Sequence, residues 1–204
     1  MPQLGRALAV IFMWSSSDQN EGRLWTEKIA GLATTIMNTV APTSVSDFVQ
    51  ANDALVKYGS YGHNNTITVR GFTPNVVDII TKHTNELPGG GAAFSGHLIR
   101  GPSAQPTARS VFSPRENHIM LEMISVSTVE ELVGKCNAWA STLRADILEN
   151  ASDDVVGGGY ISLLPDADSN WSRIYGDNYQ FLLDLKRKQD PKNAFKNSLP
   201  RLTT

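Results

Sequence analysis

Glu122 is the one acid in the run His118-Ile119-Met120-Leu121-Glu122-Met123-Ile124-Ser125-Val126. Side chains alternate across an extended segment, so His118, Met120, Glu122 and Ile124 share one face and Ile119, Leu121, Met123 and Ser125 the other. A carboxylate projecting from an apolar strand can accept a proton, which makes Glu122 the candidate catalytic base. The alternative places it at the rim, facing solvent or an arginine. His118 does not bond it along the strand, because four residues at roughly 3.3 Å each separate the two by about 13 Å. Cys136, the single cysteine, falls on an apolar helical stripe and reads as a buried thiol before a nucleophile. One cysteine excludes an internal disulfide framework and a multi-cysteine metal site, and no metal site is predicted. Pro88-Gly89-Gly90-Gly91 matches neither the phosphate-binding loop nor the dinucleotide fingerprint and reads as a turn.

These groups need elements to hold them. Ala7 to Trp14 is a continuous apolar run bounded by polar residues and predicts a buried strand. From Glu21, the spacing of Trp25, Ile29, Leu32 and Ile36 predicts a helix that ends before Pro42. Ser44 and Ser46 could cap a short helix through Leu55, and Tyr58 to Asn65 is turn chemistry. Thr66 to Arg70 predicts an extended segment, and Thr73-Pro74 opens a helix that buries Val76, Val77, Ile79 and Ile80 before Pro88. Strands are predicted over Ala93 to Arg100 and His118 to Val126, with Val111 to Asn117 as the turn before the second. Ser127-Thr128-Val129-Glu130 has the form of a capping box and leads into an apolar stripe of Val129, Leu132, Val133, Cys136, Ala140, Leu143 and Ile147. Trp139 lies beside that stripe, at the edge of the core. Gly157 to Asp166 predicts a short strand out of a glycine turn, followed by a loop, an amphipathic helix and a stop at Pro191. Strands paired with long helices imply an α+β fold, an antiparallel sheet with helices packed on one face. Its open face is then expected to need a lid, a partner or a cofactor.

Bulk composition narrows the classes. A chain of 204 residues with 41% hydrophobic and 19% charged side chains is long enough to bury a core. Lys+Arg 18 against Asp+Glu 20 leaves no basic field for nucleic acid or an anionic membrane, so neither partner is predicted. Ala7 to Trp14 is too short to span a bilayer and lacks a cleavage pattern, which leaves cytoplasmic as the default compartment. Sequons at Asn64, Asn150 and Asn170 carry little weight without a secretory signal.

The tail is more specific. Tyr160-Ile161-Ser162, then Tyr175-Gly176-Asp177-Asn178-Tyr179 with Leu182, Leu183 and Lys186, then Lys188-Gln189-Asp190-Pro191-Lys192-Asn193-Ala194-Phe195, resembles the C-terminus of berberine bridge enzyme-like FAD-linked oxidases. Phe112-Ser113-Pro114-Arg115 is similar to that family's turn before a substrate-facing strand, with Pro114 in place of its usual histidine. The resemblance implies a substrate domain, with residues 1–156 forming its sheet and helices and 157–204 its C-terminal segment. It further implies that the open face covers a flavin ring, FAD, held by another domain. Carried over, Tyr160, Ser162 and Asn178 are the cofactor-facing residues, Tyr179 packs behind them, and Ser162 stands where the family has an asparagine. About six residues precede the first predicted strand, and none of His63, His83, His97 or His118 sits in a flavin-attachment setting. The chain is therefore expected to supply one half of a two-part enzyme.

Three functions follow as expectations. The first is an FAD-linked oxidoreductase, shortened or split, that oxidises a small organic substrate in secondary metabolism, paired with a separate flavin-binding chain. The second is a cofactor-free binding or pathway-accessory protein that kept the substrate pocket. The third is an inactive fragment.

Overall fold

The computed structural model describes residues 7–53, 59–107, 110–164 and 170–202, which divide into two compact units, Met1–Lys57 and Tyr58–Thr204. In the first unit the expected strand over Ala7 to Trp14 does not form. Leu8, Ile11 and Met13 are exposed, at 90%, 72% and 69%. An apolar run favours burial but supplies no partner for its backbone, and a strand exists only as part of a ladder. Trp14 instead closes the start of helix α1 (Gln19–Ala30), donating from Nε1 to the Asp18 carbonyl at 2.8 Å while its ring covers Gly22. Asp18 caps this helix by accepting from the amides of Asn20 and Glu21. The helix stops at Gly31, short of the expected Ile36, and both Leu32 and Ile36 are exposed. Glycine favours the break, and the apolar spacing beyond it has nothing to pack on. Helix α2 (Val45–Asp53) is capped by Ser44, whose Oγ accepts from the Asp47 amide; Leu55, the expected end, lies outside the described residues.

The second unit is built on strands β1 (Asn64–Val69), β2 (Ala93–Ile99) and β3 (His118–Ile124), with helix α3 (Pro74–Asn85) between the first two and helix α4 (Val133–Asn150) after the third. All pairing is antiparallel in the order β1-β3-β2. This is the expected α+β arrangement. The alternation of β3 sends Ile119, Leu121 and Met123 to the helix side with Ile67 and Val69. There they meet Val76 and Ile79 of α3 and Cys136, Trp139, Ala140, Leu143 and Ile147 of α4. Leu121, Met123 and Leu143 are fully buried, each worth about 1.5–3 kcal/mol of apolar transfer.

Polar bonds fix the two helices to each other. Thr73 caps α3 at the Val76 amide. Asp146 accepts from Lys82 Nζ at 2.8 Å, His83 Nε2 at 2.7 Å and Asn150 Nδ2 at 2.7 Å, and Trp139 Nε1 donates to the His83 carbonyl at 2.9 Å. The capping box expected at Ser127 and Glu130 is absent. Ser127 is still part of the sheet margin, exchanging backbone hydrogen bonds with Tyr61, and its Oγ accepts from the Val129 amide. A 3₁₀ turn at Glu130–Leu132 follows, so α4 begins five residues later than the box implies.

The tail returns along β1. Val155 bridges Val69, and the Val156 amide donates to the Thr68 carbonyl at 3.0 Å. The expected strand near Tyr160 is a 3₁₀ turn, Ile161–Leu163, because no neighbouring ladder accepts it. Helices α5 (Trp171–Tyr175) and α6 (Asn178–Gln189) follow, parted at Gly176, and a small core of Trp171, Ile174 and Tyr175 gathers Val111, Ile161, Leu164, Tyr179 and Leu182. Past α6, Asp190 pairs with Lys186 and accepts from the amides of Ala194 and Phe195, so the aspartate before Pro191 folds the chain end back on itself.

Candidate functional site

The face of the sheet away from the helices holds the candidate site. Thr66 and Thr68 of β1, His118, Met120 and Glu122 of β3, and Ser95, His97 and Ile99 of β2 point to it by register. Two segments stand over this face. One is Phe112-Ser113-Pro114, pinned by Arg115, whose Nε donates to the Phe112 carbonyl and whose second nitrogen donates to the Ser103 carbonyl. The guanidinium also lies 5.2 Å from the Phe112 ring centroid. The other is Gly158-Gly159-Tyr160. Gly158 has φ +94°, and a Cβ there would fall 2.2 Å from the Ser113 carbonyl oxygen and 2.4 Å from Pro114 Cδ. Only glycine lets the two segments close on each other.

Between them and the sheet lies a cavity of about 340 Å³. Its floor is Thr68, His97, Ile99, His118 and Met120, and its walls are Phe112, Pro114, Tyr160 and Leu163. The size suits a small organic ligand, and the lining is apolar with a few polar groups.

Glu122 lies beside this cavity rather than on it. It is 8% exposed, and its carboxylate meets Asn64 Nδ2 at 2.7 Å and His97 Nε2 at 3.0 Å. The acid thus has amide and imidazole partners and sits neither at the rim nor against an arginine. His97, half exposed, contacts both the carboxylate and the cavity. Ser95 Oγ is 3.2 Å from the same imidazole nitrogen. Thr66, directly opposite Glu122, keeps its buried hydroxyl without a partner among the described residues.

The other sequence candidates are spread out. Tyr160 lines the cavity, Ser162 is exposed on the 3₁₀ turn, and Asn178, half buried, opens α6 away from the cavity lining. Cys136 is fully buried among core residues, with its thiol directed at the Gly89 carbonyl at 3.7 Å. His97 and Asn64, which meet Glu122 in the structure, are residues that the sequence did not single out. Their signal is the alternation of β2 and β1, which becomes meaningful only once the register on β3 is known. No group of three or more His, Cys, Asp or Glu among the described residues is arranged to hold a metal. None of the helices, among those residues, is long and apolar enough to cross a membrane.

The fold is shared with solved structures. Aclacinomycin oxidoreductase superposes with a TM-score of 0.65 at 16% identity, over 87% of this chain and 40% of that one. A variant of BBE-like 1 from Physcomitrella patens does so with a TM-score of 0.51 at 16% identity, over 64% of this chain and 28% of that one. With the sequence match that follows, the chain is similar to the berberine bridge enzyme-like FAD-linked oxidoreductases. The particular curated relative is the FAD-linked oxidoreductase aurO of Gibberella zeae, 26% identical over 195 residues. That match covers 94% of this chain and 38% of the relative, so the chain spans well under half its length. No family model matches the chain.

Proposed function

We propose that the chain is the substrate-binding part of an FAD-linked oxidoreductase that oxidises a small organic compound of secondary metabolism. The flavin is held chiefly by residues outside these 204, in a separate chain or a longer protein. The observation that carries this reading is the cavity on the open face, with His97 on its floor and the Glu122 carboxylate behind that imidazole. The fit to the cofactor is partial. A pocket of about 340 Å³ lined by Phe112, Met120, Tyr160 and Leu163 suits a ring system or a substrate. The sequence offers no glycine-rich cradle for the phosphates.

When bound, FAD supplies the hydride acceptor. The chain's own residues would seat the substrate between Phe112, Tyr160 and Met120, exclude water, and take a proton at the Glu122–His97 pair. Glu122 is the acceptor and Asn64 fixes its orientation. Tyr160, Ser162 and Asn178 are the residues assigned to the flavin side. A cofactor-free binding protein is the second reading, favoured by a cavity whose walls all come from residues 68–163.

The test is the visible spectrum of the purified chain, alone and after incubation with FAD, followed by gel filtration. Flavin absorbance near ~450 nm that co-elutes with the chain, or with the chain plus a flavin-binding domain, supports the flavoenzyme reading. A folded protein that stays colourless in both settings overturns it and leaves the cofactor-free alternative.

A further inference from the structure

His118 opens β3 on the cavity side and is 2% exposed. Its Nδ1 lies 2.7 Å from the Glu116 carbonyl oxygen, and a carbonyl only accepts, so Nδ1 carries the proton. In the neutral ring Nε2 is then a lone-pair acceptor. No donor among the described residues meets that nitrogen, and the residues around it offer few. Ile99 is its cross-strand partner, the Phe112 ring centre is 6.4 Å from the imidazole centre, and Met120, Pro114 and Leu163 complete that part of the wall. An acceptor on the cavity wall that no donor of the described residues meets becomes selective when a ligand fills the pocket.

We infer that His118 is the specificity-determining acceptor of this cavity, and that the ligand is a small hydroxylated aromatic compound whose O–H donates to His118 Nε2. The inference deepens the proposed function and rests on it only in taking the cavity as the substrate site. Cavity geometry sets the ligand's reach. His118 pairs with Ile99 and His97 pairs with Met120, so the two imidazoles are offset by two residues, about 7 Å along the strands. A ligand of one or two fused rings anchored at His118 brings its far edge to His97 and the Glu122 carboxylate behind it. The hydroxyl thereby decides which end of the ligand meets the acid.

The experiment uses the full chain without flavin, labelled with ¹⁵N-histidine, at pH 8. The probes are phenol and its isostere toluene. In the free protein the His118 ring is expected as the Nδ1–H tautomer, the form less common in solution. Phenol is expected to move the Nε2 resonance upfield and toluene to leave it in place. In His118→Phe, which keeps an aromatic ring, phenol affinity should fall roughly five- to tenfold while toluene changes by less than about twofold. An Nε2–H tautomer in the free protein, or equal responses to phenol and toluene, overturns the inference. Should His118→Phe fail to fold, the tautomer and the phenol–toluene contrast in the unmutated chain decide the matter alone. Failure here combined with retained flavin assembly refutes the His118 assignment, and the reverse outcome refutes only the flavoenzyme reading.

Discussion

Replacing Gly158 by alanine should damage the cavity. The new Cβ would stand 2.2 Å from the Ser113 carbonyl oxygen and 2.6 Å from its carbon, both backbone atoms that cannot swing aside. The residue also has φ +94°, a conformation that costs an L-residue about 1–2 kcal/mol. Forcing the two segments apart adds a further ~1–3 kcal/mol, the usual range for overpacking. The sum is a destabilisation of about 2–5 kcal/mol. Gly157 is the internal control: its added Cβ would meet only the Arg173 carbonyl oxygen at 3.5 Å, an ordinary contact. Gly157→Ala should therefore fall within about 1 kcal/mol of the parent. Urea denaturation of the three proteins, followed by far-ultraviolet circular dichroism, gives the comparison. Phenol binding, which needs Pro114 and Tyr160 on facing walls, should be lost in Gly158→Ala and kept in Gly157→Ala. Equal midpoints for the two variants would refute the argument that the segments are locked at Gly158.

Other outcomes follow from the same geometry. Hydrogen bonds from Lys82, and then from His83 and Asn150, hold the Asp146 carboxyl well below the usual carboxylate range. A depressed folded-state value contributes stability above the unfolded value of about 3.9 that is lost as pH falls. Asp146→Asn should thus lose about 1–3 kcal/mol at pH 7 and show a flatter stability curve than the parent below about pH 4, checked by urea titration at each pH. Leu143→Ala, at a fully buried position between helix and sheet, should cost about 2–5 kcal/mol by the same assay. Glu122→Gln should cost about 1–3 kcal/mol, because an amide offers one acceptor where the carboxylate serves both Asn64 and His97. Where turnover can be followed, the same variant should lose most of its rate while holding substrate.

Much of the second unit was legible in the sequence because its signals are local. Thr73-Pro74 marks a capped helix start, alternation marks β3, and the Cys136, Ala140, Leu143, Ile147 stripe marks the buried side of α4. Ala7 to Trp14 misled for a reason that composition cannot reveal: burial needs a partner, and none of the described backbone pairs with it. Ser127 misled because its hydroxyl satisfies the capping pattern while its backbone is committed to Tyr61. Glu122 could be found as an acid on an apolar strand. His97 and Asn64 could not, since they reach it from 25 and 58 residues away in the chain through a register that no local pattern encodes. Tyr160 reached the cavity wall through a turn rather than the strand expected for it.

The return of residues 154–156 alongside β1 has a consequence for how the sheet can extend. On its outer margin, the Thr66 carbonyl accepts from Arg144 Nε and the Thr68 carbonyl from the Val156 amide, while the Arg70 amide donates to the Asp154 carbonyl. Those groups are no longer available to an incoming strand, and a bulky guanidinium stands in the way. At the opposite margin no backbone bond to β2 from outside the sheet occurs among the described residues. Growth by strand addition is therefore one-sided: β1 acts as a terminus, and β2 is the margin at which another strand can continue the ladder.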